Sequence, residues 1–170
     1  PEIIAKAFSE RPGLLQQIVV AGDVDTLRRA THQLATGATR LMVAEIAEPS
    51  DLVAVPPGCM AVVQACKVSQ PVEIGRISAH AGRAAADCIE WAAEAALQGR
   101  ARAVVTAPIH KEALAAAGVE HPGHTELLQA LSAAHLGVSV TELPVRMMLS
   151  CPGLSTVLVS IHVSLRQALD

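Results

Sequence analysis

Histidines that stand at helix starts or strand ends are the residues of this chain best suited to chemistry, and three of its seven fit that description. His110 and His124 each sit in a loop that feeds a helix within Ala103–Leu128, AVVTAPIHKEALAAAGVEHPGHTELL, and His162 follows the apolar run TVLVSI. A helix N-terminus offers unpaired N–H groups and the positive end of the helix dipole, so it attracts anions. Lys111, beside His110, could add a point charge for an anionic substrate, although an ordinary solvated lysine would look the same. The stretch reads as half of a site for a phosphorylated or carboxylated small molecule. A catalytic metal needs about three protein ligands and one open position. No HExxH or HxH spacing supplies them, so a metal would have to be assembled from separated segments. His32 and His135 fall within amphipathic helices, His80 on a polar stripe and His121 in a loop, and these four read as surface or structural. GxGxxG, P-loop and GxSxG patterns are missing, so a classical Rossmann site, a kinase-type site and an α/β-hydrolase lack their markers.

The elements that position these residues follow from periodicity and punctuation. Val104-Val105-Thr106 has the composition of a buried strand. Pro108 suits the first turn of a helix over Ile109–Ala117 that Gly118 ends. Pro122-Gly123 breaks the chain again before a helix from Thr125 to about Leu136, burying Leu127, Leu128, Leu131 and Ala134 and closed by Gly137. Upstream, Glu2–Phe8 predicts a helix and Gln17–Ala21 a strand, and Asp23 or Asp25 caps a helix facing Leu27, Ala30 and Leu34 inward. Leu41–Ile46 and Met60–Ala65 predict strands separated by a Pro56-Pro57-Gly58 turn, giving the β-α-β opening of an α/β sheet. Ser78–Gln98 is the clearest helix: His80, Arg83, Asp87, Glu90, Glu94 and Gln98 trace one polar stripe, and the rest is mostly alanine. The stripe itself reads as a solvated face. Arg83 and Asp87 form an i,i+4 pair, and Gly82 inside the helix marks close packing against a neighbouring backbone. Val145–Ser150 and Thr156–Ile161 predict an antiparallel hairpin about Cys151-Pro152-Gly153, within an otherwise mixed sheet. The second of these strands delivers His162 at its carboxyl end, where open α/β sheets place ligands.

The length of 170 residues suits one domain with a real core, and with half the residues apolar but a single Phe, a single Trp and no Tyr, that core must be Ala, Val and Leu. A formal charge of -3 and the lack of a basic cluster argue against a nucleic-acid partner. No apolar run reaches the roughly 18–20 residues of a membrane span, and PEIIAKAFSE lacks the features of a signal peptide, so no membrane association is expected and cytoplasm is the default. Cys59, Cys66, Cys88 and Cys151 show no CxxC spacing and read as buried cytosolic thiols, with pairing or metal binding as the alternative. Pro1 and Asp170 suit a partial chain better than a complete one. Such a piece predicts an exposed apolar face or an unpaired sheet edge, covered by another subunit or prone to association.

VVTAPIHKEALAAAG, PGHTELL, MMLSCPGL and VLVSIHVSLRQAL, taken in order, closely resemble the 4-hydroxythreonine-4-phosphate dehydrogenase family of pyridoxal phosphate biosynthesis. PVEIGRISAHAGRAA is similar to the stretch preceding that family's long helix, and PEIIAKAF resembles the continuation of its GDPAGIGPEI motif. The likeness is strong from Gly75 onward and weaker between Leu14 and Ser69. It implies an α/β/α sandwich with a mixed sheet, like isocitrate and isopropylmalate dehydrogenases. Residues 1–170 would be the N-terminal half of a two-domain, homodimeric enzyme with a shared active site and a domain crossover near 120–145. It further implies NAD (or NADP) and a divalent metal (Zn, Mg or Co), with oxidation of the substrate hydroxyl followed by loss of CO₂. By motif, His124 and Thr125 would contact substrate and His162 would be a metal ligand, with Ser164 where the family usually has proline. The family's other two metal histidines and its nicotinamide-binding part would fall beyond Asp170, so the 170-residue chain alone is expected to be inactive and to hold metal weakly. Relatives acting on four-carbon sugar-acid phosphates such as erythronate or threonate 4-phosphate remain an alternative, whereas PGHTE disfavours the dihydrodiol branch. A non-catalytic truncated relative and a generic anion-binding α/β domain are the competing classes.

Overall fold

A computed structural model describes residues 1–34, 41–160 and 164–169. Its first half is built around the strand β3 (Cys59–Gln64), which lies between β1 (Val19–Gly22) and β2 (Met42–Ile46) and pairs with both in parallel. A central parallel strand is covered on both faces, which is why it reads as an unbroken apolar run. Met60, Ala61, Val62 and Val63 are all buried. Two helices pack with the sheet, α1 (Glu2–Glu10) and α2 (Val24–Gln33); Phe8, Val24 and Leu27 join Val20, Met60 and Val62 in one core cluster. The strand predicted at Gln17–Ala21 starts two residues later. The connection from β2 to β3 holds a 3-10 segment, Pro49–Ala54, that the Pro-rich turn did not announce.

Asp23 ties the carboxyl ends of β1 and β3 to α2. It is the N-cap of α2, accepting from Thr26 N at 2.7 Å, and it also accepts from Gln64 Nε2 at 3.0 Å and Val68 N at 3.2 Å. Gln64 Oε1 accepts from Val24 N at 2.9 Å, completing the network. Asp23 is 8% exposed, and burial pushes its carboxyl pKa upward. The bonds from Thr26, Gln64 and Val68 outweigh that push and hold it below the ordinary carboxylate value.

The long helix α3 (Ala79–Leu97) is capped by Ser78 and carries the predicted polar stripe, in which Arg83 bonds both Asp87 and Glu90 at 2.7 Å. Its opposite side buries Ala86, Ile89, Ala93 and Ala95 and lies against β1. Two shorter helices pack on it: α4 (Lys111–Ala116) and α5 (His124–Leu136). Gly82 has the predicted role: a Cβ there would stand 1.9 Å from the Ala113 carbonyl oxygen, so α3 and α4 touch backbone to backbone. Gly118 and Gly137, just past α4 and α5, have φ of +73° and +68°, the left-handed termination that glycine permits.

Several expectations need correction. Residues 104–106 form no strand among the described residues: Val105 is 89% exposed, and no segment runs alongside to supply the ladder bonds that β-branched composition alone cannot. The helix expected from Ile109 begins at Lys111, because Pro108 belongs to the extended approach and His110 is the N-cap. On α5 the buried alanine is Ala133, not Ala134, while Leu128 and Leu131 are half-buried beside buried Leu127. The hairpin β4 (Met148–Cys151) and β5 (Leu154–Val157) is antiparallel as expected, with Gly153 at φ +87° in its turn. Among the described residues it forms a two-stranded sheet of its own, not part of the three-stranded one. Met148, Leu149, Leu154 and Val157 are each more than half exposed, the uncovered apolar face the sequence led one to expect. Of the four cysteines expected to be buried only Cys66 is; Cys59 and Cys88 are half-buried and Cys151 is exposed. A short helix α6 (Leu165–Leu169) follows. Among the described residues, no helix is long and apolar enough to cross a membrane.

Candidate functional site

The starts of α4 and α5 carry four of the five residues singled out by sequence, and α3 is the platform that holds both helices. Gly123 is the N-cap of α5; it is buried and extended, with φ of -169°. An ideal Cβ on it would lie 3.3 Å from Glu126 Oε2 and 3.7 Å from Lys111 Cε. The Lys111 side chain, leaving the first residue of α4, therefore reaches the N-terminus of α5. Neither helix start has a side-chain capping bond, so its first N–H groups are open to another acceptor.

His124 is the first residue of α5 and half-buried; burial holds its imidazole pKa below the ordinary value, favouring the neutral ring. Neutral imidazole is at once a hydrogen-bond donor and an acceptor, which suits a hydroxyl partner. Thr125 and Lys111 are exposed, and so is His110, the N-cap of α4. His162 lies outside the described residues. The four histidines read as surface or structural behave accordingly: His32, His80 and His135 are exposed, and His121 is half-buried. Shallow depressions lined by Asp25, Arg28, Arg29 and His32, and by Ala44–Ala47 with Asp51–Pro56 residues, include none of the candidates.

Among the described residues, no group of three or more His, Cys, Asp or Glu side chains converges to hold a metal ion. These residues therefore do not by themselves constitute a metal centre. Two features escaped sequence reading. Asp23 was legible as a cap, but Gln64, 41 residues on, joins it only because β1 and β3 are adjacent parallel strands ending at the same rim. Glu126 beside Gly123 carried no signal beyond its place in the first turn of a helix.

Comparison with known proteins bears on all of this. The family described as pyridoxal phosphate biosynthetic protein PdxA matches residues 14–170. A 4-hydroxythreonine-4-phosphate dehydrogenase from Beijerinckia indica is 40% identical over 99% of this chain and 46% of its own length. A D-threonate 4-phosphate dehydrogenase from Salmonella typhimurium is 37% identical over 100% of this chain and 49% of its own. The crystal structure of a 4-hydroxythreonine-4-phosphate dehydrogenase from Burkholderia phymatum superposes with a TM-score of 0.79 at 30% identity, covering 98% of this chain and 47% of that one. The chain thus spans about half the length of the relatives it matches. The expected α/β, isocitrate dehydrogenase-like architecture stands on this likeness. The ordered motifs, the parallel sheet with its helices and these matches together place the chain in the PdxA family, with these dehydrogenases as its relatives.

Proposed function

We propose that this chain contributes the substrate-holding part of an NAD-dependent, divalent-metal-dependent dehydrogenase that oxidises and decarboxylates 4-phosphohydroxy-L-threonine in pyridoxal 5'-phosphate synthesis. The observation that carries the reading is the meeting of Lys111 with the uncapped start of α5, where His124 is held toward its neutral form. Lys111 and the free N–H groups of α5 supply positive charge for a phosphate or carboxylate. His124 and Thr125 supply hydrogen bonds that orient the substrate, and His110 borders the same helix pair through α4. Binding energy from a phosphate far from the reacting carbon can be used to fix the hydroxyl in place.

The metal and the nicotinamide bring Lewis acidity and a hydride acceptor when bound. His162 is the metal ligand in this proposal, and its partners come from outside the described residues. The working enzyme is a homodimer with a shared site, in the cytoplasm, with the exposed apolar hairpin as a surface that needs cover. The domain crossover is assigned to residues 120–145.

The name of the Salmonella typhimurium relative favours a second reading, oxidation of D-threonate 4-phosphate, with D-erythronate 4-phosphate as a substrate of the same chemical class. Assay of the protein at the full length of its relatives separates the two. NADH formation with 4-phosphohydroxy-L-threonine in preference to the sugar-acid phosphates is expected, and the reverse preference would establish the alternative.

A further inference from the structure

Cys66 lies two residues past the end of β3 and Cys88 in the middle of α3, yet their sulfurs are 3.3 Å apart. A disulfide bond is about 2.05 Å long, so closure requires a shift of only about an ångström. The function proposed above uses neither thiol. Among the described residues, Cys59 and Cys151 have no sulfur neighbour at comparable distance. We propose that Cys66 and Cys88 form a reversible intramolecular disulfide, a redox modification that fastens α3 to the segment leaving the carboxyl end of the sheet.

The two sulfurs are not equivalent. The Cys88 S–H donates to Cys66, which draws the Cys66 pKa down against its burial and the nearby carboxylates of Asp23 and Asp87. Giving that hydrogen bond, together with burial, pushes the Cys88 thiol up. Cys66 is thus the attacking sulfur and Cys88 the resolving one. With hydrogen peroxide as oxidant, the Cys66 thiolate attacks one peroxide oxygen, the O–O bond breaks, and the departing hydroxide takes up the proton that the Cys66 thiol had released, leaving one water and a Cys66 sulfenic acid. The Cys88 sulfur then attacks the Cys66 sulfur, the S–O bond breaks, and the Cys88 proton departs with the hydroxyl as a second water. Two thiols lose two electrons and one peroxide gains them. A thiol reductant reverses the bond by exchange. Cys66 already accepts a hydrogen bond on its carbonyl from Gln64, and Val68 is held by Asp23. The bond would therefore join two ordered segments, and α3 is the element on which α4 and α5 rest.

The test is peptide mapping of the 170-residue chain after hydrogen peroxide treatment and alkylation under denaturing conditions. Trypsin cuts at Lys67, Arg76 and Arg83, between the two cysteines, so the bond links peptide 41–67 to peptide 84–100, and fragmentation of the linked pair tells Cys66 from Cys59 on the first. The expected result is a fall from four alkylatable thiols to two, a Cys66–Cys88 linked peptide, and recovery of all four with dithiothreitol. The Cys59→Ser, Cys151→Ser double variant should give the same linked peptide. Four alkylatable thiols after oxidation would overturn the proposal. So would linkage through Cys59 or Cys151, or Cys66 oxidised to sulfinic acid with Cys88 still free.

Discussion

His124, through its burial, and Asp23, through the hydrogen bonds it accepts, are titratable groups whose shifts have a consequence measurable in the 170-residue chain. The unfolded chain takes up a proton on His124 at the ordinary imidazole pKa, whereas the folded chain resists it because burial disfavours the charged ring. Below about pH 6.5 the unfolded state therefore binds more protons, and stability falls as pH drops toward the folded-state pKa. Urea unfolding of wild type and His124→Gln at neutral pH and at about pH 5.5 should show a smaller acid loss in the variant. Equal losses would mean that the ring is not desolvated. Asp23 has the same sign of shift for a carboxylate: its contribution is present above the unfolded value near pH 3.9 and is lost as pH falls through the lower folded value. Replacing Asp23 with alanine removes a helix cap, leaves Val68 N without its acceptor and leaves Gln64 Nε2 with only the Cys66 carbonyl. The expected cost is about 2–4 kcal/mol by urea denaturation, against a few tenths for an uninvolved surface aspartate. The cap was legible in the sequence from Gly22-Asp23 before an amphipathic run. Its long-range partners were not, since strand order decides which loop ends meet.

At the scale of elements, the contact between α3 and α4 carries the candidate site, and Gly82 is its narrowest point. A methyl group there would occupy the space of the Ala113 carbonyl oxygen, 1.9 Å away, and no flexible side chain can yield in its place. Gly82→Ala should cost about 1–3 kcal/mol or more, despite the better helix propensity of alanine, because the helices must separate. An unchanged urea midpoint would show that the two helices are not held at backbone contact. This position was readable from sequence because glycine inside a strong helix already carries an unexplained cost. The predicted strand at residues 104–106 misled for the converse reason: β-branched residues report suitability for a ladder, and the ladder depends on a neighbour elsewhere. The helix ends Gly118 and Gly137 were plain, whereas the start of α4 fell two residues late because Pro108 fits an extended approach as well as a first turn.

At the scale of the whole molecule, the hairpin β4–β5 exposes Met148, Leu149, Leu154 and Val157, a surface that favours association. Sedimentation of the 170-residue chain should show concentration-dependent self-association that Leu149→Lys with Leu154→Lys reduces. A monodisperse monomer at high concentration would contradict this. Zn²⁺ titration of the same chain by calorimetry should find only weak binding, since the described residues bring no three ligands together. A tight stoichiometric site that survives replacement of every histidine except His162 would refute that expectation. The family, the α/β class and the order of elements were readable from motifs, because each motif is local. The convergence of Lys111 on Gly123 was not, since it depends on two helices sharing a third. The most direct measurement is NADH formation by the protein at its relatives' full length, comparing wild type with His124→Ala on 4-phosphohydroxy-L-threonine. Robust turnover that falls by about 100-fold or more in kcat/KM on loss of the imidazole is the expected result; turnover unchanged by the substitution would contradict the placement of substrate at the start of α5.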